Sequence, residues 1–311
     1  MSMPLRFALA AALAFGLAGC GSMSALDNII TGSVEPTGPV PPAAGKVYIF
    51  RGMGGRVASF EMDNLTEKLK RSGINSETYN HVNWRGPADE AISRYKAETR
   101  KSPIIVAGHS AGGDASIRFA ERLKEANVPV SLIVSFDPTR FGGRVPPNVD
   151  RFINVWSSTN FFGGGNIVPD SSFQGHYASV DLRRYWNVLH VNLVRIDGLQ
   201  DRVIAKMVQI MNLPVHLDGA TVPIRYAPPR DTPLELWDSG VPIRAEAGDT
   251  VRSIAQKYAV PVWAVTQLND ISTSTPLTPG QRLVVPRHLE PMSPAHMSPA
   301  HNPPLTSYAP R

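Results

Sequence analysis

The chain is poor in cysteine: Cys20 is the only one in 311 residues. A single thiol forms no disulfide within the chain, so the fold must be held by its core. No set of His, Cys, Asp and Glu residues has metal-ligand spacing, and the one glycine loop near the start of the folded region lacks a phosphate-binding pattern. Neither a metal nor a cofactor is therefore expected. Lys and Arg are scattered, without a run of five or more, so the formal charge of +5 gives no footing for nucleic acid. A long apolar run is also missing. Phe7 to Leu17 is the longest near the N-terminus, and eleven residues are too few to span a bilayer comfortably.

Residues are abundant where they carry chemistry. Arg6 precedes the apolar Phe7–Leu17 stretch, which ends in Leu17-Ala18-Gly19-Cys20. This resembles a bacterial lipobox. The resemblance implies export, cleavage of residues 1–19 and acylation of Cys20, giving stable anchoring by several acyl chains. Gly21 in place of Asp implies the outer membrane, facing the periplasm, rather than retention at the inner membrane. Residues 20–45 are rich in Gly, Ser, Thr and Pro and read as an extended tether.

From Lys46 to Leu213, short β-branched runs alternate with helical periodicity. Val47–Phe50, Glu77–Trp84, Ile104–Ala107, Val130–Phe136, Phe152–Trp156 and Ala178–Leu182 read as strands. Asn64–Arg71, Ala88–Thr99, Asp114–Leu123 and Asp201–Met211 read as helices. The alternation predicts an α/β domain over 46–213, a mainly parallel sheet with helices on both faces. Residues 214–241 carry no clear period and read as a connector. Residues 288–311 contain Met292-Ser293-Pro294-Ala295-His296 followed at once by a copy, a low-complexity tail.

The domain is organised around Gly108-His109-Ser110-Ala111-Gly112. The motif lies between a strand and a helix, where a sharp turn strains the serine backbone and the two glycines let strand and helix approach. A serine hydroxyl is a weak nucleophile until a base takes its proton and a third group orients that base. The stretch resembles the α/β-hydrolase superfamily, particularly its lipase and thioesterase-like members, over about residues 46–212. That resemblance implies a serine hydrolase with the order serine, acid, histidine on loops at the C-terminal edge of the sheet. Ser110 is then the nucleophile. Asp137, directly after the next strand, is the leading acid; Ser157-Ser158-Thr159-Asn160 supplies no carboxylate at the other usual position. His190 is the first choice of base, with His176 and His216 as alternatives. His109 is expected to pack beside the nucleophile strand, and Asp114 to serve the helix dipole. The oxyanion needs two backbone N–H donors: Ala111, and Met53 or Gly54 from Arg51-Gly52-Met53-Gly54-Gly55.

A second unit spans 242–287. Thr250 is placed to cap a helix carrying Val251, Ile254, Ala255 and Tyr258, and Pro261 to begin another with Val262, Val265 and Leu268. Gly248-Asp249-Thr250, Ile254-Ala255, Leu268-Asn269 and Pro279-Gly280-Gln281 resemble the LysM domain along nearly its whole length. The resemblance implies a strand–helix–helix–strand module that binds N-acetylglucosamine-containing glycan such as peptidoglycan. Its groove would lie between Gly248, Asp249 and Thr250 and the segment before Pro279.

Together these readings describe a lipid-anchored envelope hydrolase that cleaves a small or lipid carboxylic ester beside the cell wall. The rival readings are a non-catalytic wall-binding scaffold and an acyltransferase working through the same serine.

Overall fold

A computed structural model describes residues 45–55, 59–185, 187–196, 198–212, 220–230 and 232–288, all within the unit Pro41–Arg311. The signal-like segment, Cys20, nearly all of the tether, His216 and the repeated tail lie outside the described residues.

Seven parallel strands form the main sheet: β1 (Lys46–Arg51), β2 (Asn75–Asn80), β3 (Ile104–His109), β4 (Leu132–Phe136), β6 (Arg151–Trp156), β8 (His176–Asp181) and β9 (Ile224–Tyr226). Their spatial order is β2-β1-β3-β4-β6-β8-β9. A separate small pair joins β5 (Arg144–Val145) to β7 (Val168–Pro169). The residues of the interior strands β1, β3, β4, β6 and β8 are almost all buried on both faces, as a parallel sheet under two helical layers requires, while the edge strands β2 and β9 are partly exposed. Alternate residues divide between two cores. Val47, Ile49, Ile105 and Ala107 face helices α1 (Phe60–Arg71) and α4 (Leu199–Asn212). Tyr48, Phe50, Ile104 and Val106 face α2 (Arg85–Ala97) and α3 (Ala111–Glu125).

Two expectations change. The second strand stops at Asn80 instead of Trp84, and His81–Asn83 form a 3₁₀ turn. Asn80 pairs with Arg51, the last residue of β1; beyond it the neighbouring chain leaves as a glycine loop, so nothing remains to pair with. The segment read as a connector also contributes to the core. Ile224–Tyr226 form the edge strand β9, and Leu234, Leu236 and Trp237 are buried. Three strand residues between prolines leave no room for a readable period.

The second unit opens at β10 (Gly240–Arg244), continues through α5 (Val251–Lys257) and α6 (Val262–Asn269), and closes at β11 (Arg282–Pro286). β10 and β11 pair antiparallel. Thr250 caps α5 through a reciprocal pair with Ser253. Asn269 bonds both backbone groups of Val284, which fixes the end of α6 on β11. The unit is not suspended on a loose string. Gln267 exchanges two hydrogen bonds with the Ala227 backbone, and Trp263 packs against Trp237 at 5.5 Å and Tyr226 at 6.2 Å.

Candidate active site

Ser110 stands where β3 ends and α3 begins, with φ 56° and ψ −126°. An L-residue reaches positive φ only under constraint. The constraint here is close packing: a Cβ on Gly108 would collide with the Gly112 backbone, and one on Gly112 with the Phe50 carbonyl. The Ser110 N–H is held by the Phe136 carbonyl at 2.9 Å. The first turn of α3 starts at Ala111, so its amide points out of the helix N-terminus beside the hydroxyl.

Asp137 follows β4, is fully buried and also has positive φ, at 41°. Its carboxylate accepts four hydrogen bonds. Oδ1 takes the amides of Gly164 (2.9 Å) and Ser157 (3.2 Å). Oδ2 takes the Asn160 side-chain amide and His190 Nδ1, both at 2.7 Å. Four donors saturate a carboxylate, so burial of the charge is compensated. The Nδ1–H of His190 is thereby committed to Asp137, which leaves Nε2 with the lone pair a general base needs. Among the described residues no hydrogen bond joins Ser110 Oγ to His190. Such contacts commonly tighten only when substrate arrives.

Ser157–Asn160, which lacks a carboxylate, turns out to hold the carboxylate of its neighbour. Gly163 is required as well, since a Cβ there would strike both Asp137 Oδ2 and His190 Nδ1. The Gly163-Gly164-Gly165 run was the available signal for this.

The alternative base, His176, is at the wrong end. It is the first residue of β8, whereas His190 follows the strand's last. The strand alone separates the two ends by about 17 Å. His176 Nδ1 lies 2.8 Å from Ser239 Oγ and 3.9 Å from Asp238, beside Arg151.

Met53 and Gly54 lie on the loop after β1. The Gly52 amide donates to Ser59 Oγ at 3.2 Å, so of this glycine loop the next amide toward the site is that of Met53. A Cβ on Gly52 would lie 2.9 Å from Ser110 Cβ, which measures how closely the loop approaches the serine. Asp114 does more than serve the helix dipole. Its buried carboxyl accepts from Thr139 Oγ, tying α3 to the loop after β4, and burial raises its pKa above the usual range.

No group of His, Cys, Asp and Glu among the described residues is arranged to hold a metal. No helix among them is long and apolar enough to cross a membrane. In the second unit, Gly248 (φ 86°) and Gly280 (φ 82°) form exposed turns. Asp249 accepts from the Glu246 amide at 2.8 Å, and Pro279 is exposed near the hydroxyl-rich Ser272–Thr275 turn.

The strand order and the strained serine turn at the end of β3 define an α/β-hydrolase-like fold carrying a small C-terminal module. Residues 244–286 match the LysM domain. No curated protein matches the chain. Similar solved structures include a proposed hydrolase of the alpha/beta superfamily from Xanthomonas campestris pv. campestris, at 16% identity and TM-score 0.35, covering 53% of this chain and 98% of that one. Human thioesterase 2 is similar at 12% identity and TM-score 0.32, covering 54% and 96%. The RedJ thioesterase of the prodiginine pathway in Streptomyces coelicolor is similar at 10% identity and TM-score 0.32, covering 64% and 97%. At these TM-scores the likenesses add nothing to the assignment, which rests on the sheet order and the turn.

Proposed function

We propose that the protein is a serine hydrolase of carboxylic esters, anchored by lipid at Cys20 in the bacterial envelope and held at peptidoglycan by its LysM domain. The observation that carries the reading is the His190–Asp137 hydrogen bond of 2.7 Å at the same sheet edge as the strained Ser110 turn. In this reading Ser110 Oγ attacks the ester carbonyl carbon and its proton passes to His190 Nε2. The oxyanion is met by the amides of Ala111 and of Met53 or Gly54. The alcohol leaves with the proton from His190. Water, deprotonated by His190, then attacks the acyl-enzyme, and the carboxylic acid departs as Ser110 regains its proton.

An apolar acyl or lipid ester fits best. Every exposed large hydrophobic side chain among the described residues lies on a segment leaving the C-terminal end of a parallel strand: Met53 and Phe60 after β1, Val82 after β2, Phe141 after β4, Phe161 and Phe162 after β6, Leu189 and Val191 after β8. Exposed apolar side chains gathered at one place mark a binding surface. Several adjoin the chemistry directly, since Met53 follows Gly52, Phe162 precedes Gly163, and Leu189 and Val191 flank His190.

A fluorophosphonate probe tests the reading. Wild-type protein should be labelled at Ser110 and Ser110→Ala should not; folded wild-type protein that resists labelling would contradict it. An acyltransferase would label equally but release its acyl group to an added alcohol faster than to water. For the glycan partner, binding to purified peptidoglycan should weaken on replacing Gly248 or Thr250, and unchanged binding would remove the groove assignment. Metabolic labelling with a fatty acid should be lost in Cys20→Ala, and labelling that persists would remove the lipid anchor from the reading.

A further inference from the structure

His109 is only 3% exposed and sits on the face of β3 shared with Ile105 and Ala107, where packing alone would be served by an apolar side chain. Both of its ring nitrogens are engaged. Nε2 is 2.9 Å from the His190 carbonyl oxygen, which only accepts, so Nε2 carries the hydrogen. Nδ1 therefore holds the lone pair, and Ser59 Oγ at 3.2 Å must donate to it. Ser59 Oγ in turn accepts the Gly52 amide at 3.2 Å. The direction of every bond is fixed: Gly52 N–H to Ser59, Ser59 O–H to His109 Nδ1, His109 Nε2–H to the His190 carbonyl.

The relay joins two loops that carry different halves of the candidate site. At one end Gly52 lies against Ser110 and precedes Met53. At the other, His190 depends on it. Among the described residues, the hydrogen bonds between His190 and the rest of the chain are the one its carbonyl accepts from His109 and the one its ring donates to Asp137. Packing pins the segment at its ends, through buried Val188 and Leu193, but not beside the ring, where Leu189 is 58% and Val191 56% exposed. The two imidazoles also stack, with centroids 4.8 Å apart and planes at 32°. Burial, and secondarily the neighbouring His190 ring, lower the His109 pKa to about 4, which keeps the relay in its neutral form at ordinary pH.

We propose that His109 is a positioning residue, setting the His190 segment and the Met53 amide relative to Ser110 through this one-way relay without touching substrate. The proposal rests on the serine-hydrolase reading above. Two amide variants separate its halves. Gln at 109 reaches as far as Nε2 and can still donate to the His190 carbonyl. Asn reaches only as far as Nδ1 and keeps the Ser59 side alone. His109→Asn should lower kcat for a short-chain ester by about tenfold or more with KM nearly unchanged, and His109→Gln should recover most of that loss. A second readout needs no activity: backbone hydrogen exchange over Leu189–Asn192 should quicken in His109→Asn and stay near wild type in His109→Gln. Equal losses in both variants that simply follow their melting temperatures would overturn the proposal, as would unchanged exchange in His109→Asn. If wild-type protein neither hydrolyses esters nor takes the probe, the hydrolase reading fails, and the exchange result alone decides whether His109 holds the segment.

Discussion

Two histidines in this chain each stand near an aspartate, and the sheet holds them at opposite ends. His190 follows β8 and bonds Asp137 at 2.7 Å, with 16% of its side chain exposed. His176 begins β8, lies 3.9 Å from Asp238 and is fully buried. Residue types are the same; position makes the difference. The C-terminal edge gathers the strained backbone of Ser110 and Asp137, the glycine runs and the exposed apolar side chains. At the other edge His176, Arg151, Asp238 and Ser239 are buried together just ahead of β10, where the chain passes into the LysM domain. In the proposed reading one edge meets the substrate, while the other buries its polar groups where the chain passes between the two units.

The contrast can be broken experimentally. The largest effect is expected for His190→Ala, which should lower kcat/KM on a soluble ester by about 10³-fold or more, with a stability loss of about 1–2 kcal/mol because Asp137 keeps three of its four donors. His176→Ala should spare the rate, leaving it within about twofold, but lower stability by about 2 kcal/mol, since it strips a partner from buried polar groups. For a domain of this size that is roughly 4–8 °C in melting temperature.

Replacing both Phe161 and Phe162 by Ser should lower kcat/KM about tenfold on a long-chain ester and leave a short-chain ester nearly unaffected. Equal loss on both substrates would remove the apolar rim from substrate recognition.

A separate effect, on stability alone, concerns pH. Unfolded His109 takes a proton near 6.5, whereas the folded residue resists until about 4. Between those values the unfolded chain binds more protons, so stability falls on acidification through this window, by roughly 3 kcal/mol at its lower end. Denaturant titrations at pH 7 and pH 4 should differ less for His109→Gln than for wild type. An identical difference would show that His109 is not the group responsible.

How much of this was legible in sequence follows from the range of the interactions. The elbow could be read because its glycines, serine and flanking periodicities lie within about twenty residues of one another. The LysM marks could be read for the same reason. Asp137 and His190 were reachable through chain order, but the choice between His190 and His176 depends on which end of a strand each occupies, and two neighbouring loops are needed to settle that. Three things stayed out of reach. β9 is three residues long between prolines, too short for a period. The donors to Asp137 from Ser157, Asn160 and Gly164 are mainly backbone amides, which leave no side-chain signature. His109 was read as packing because its partners, Ser59 and the His190 carbonyl, are 50 and 81 residues away.

The central claim is that the C-terminal edge of the sheet, through Ser110 and His190, performs ester hydrolysis. Its most direct test is mass-spectrometric mapping of a fluorophosphonate adduct on wild-type, His190→Ala and His176→Ala proteins under identical conditions. The account predicts an adduct on Ser110 that forms at the wild-type rate in His176→Ala and is nearly abolished in His190→Ala. Labelling that survives His190→Ala and is lost in His176→Ala, or an adduct on another residue, would contradict it.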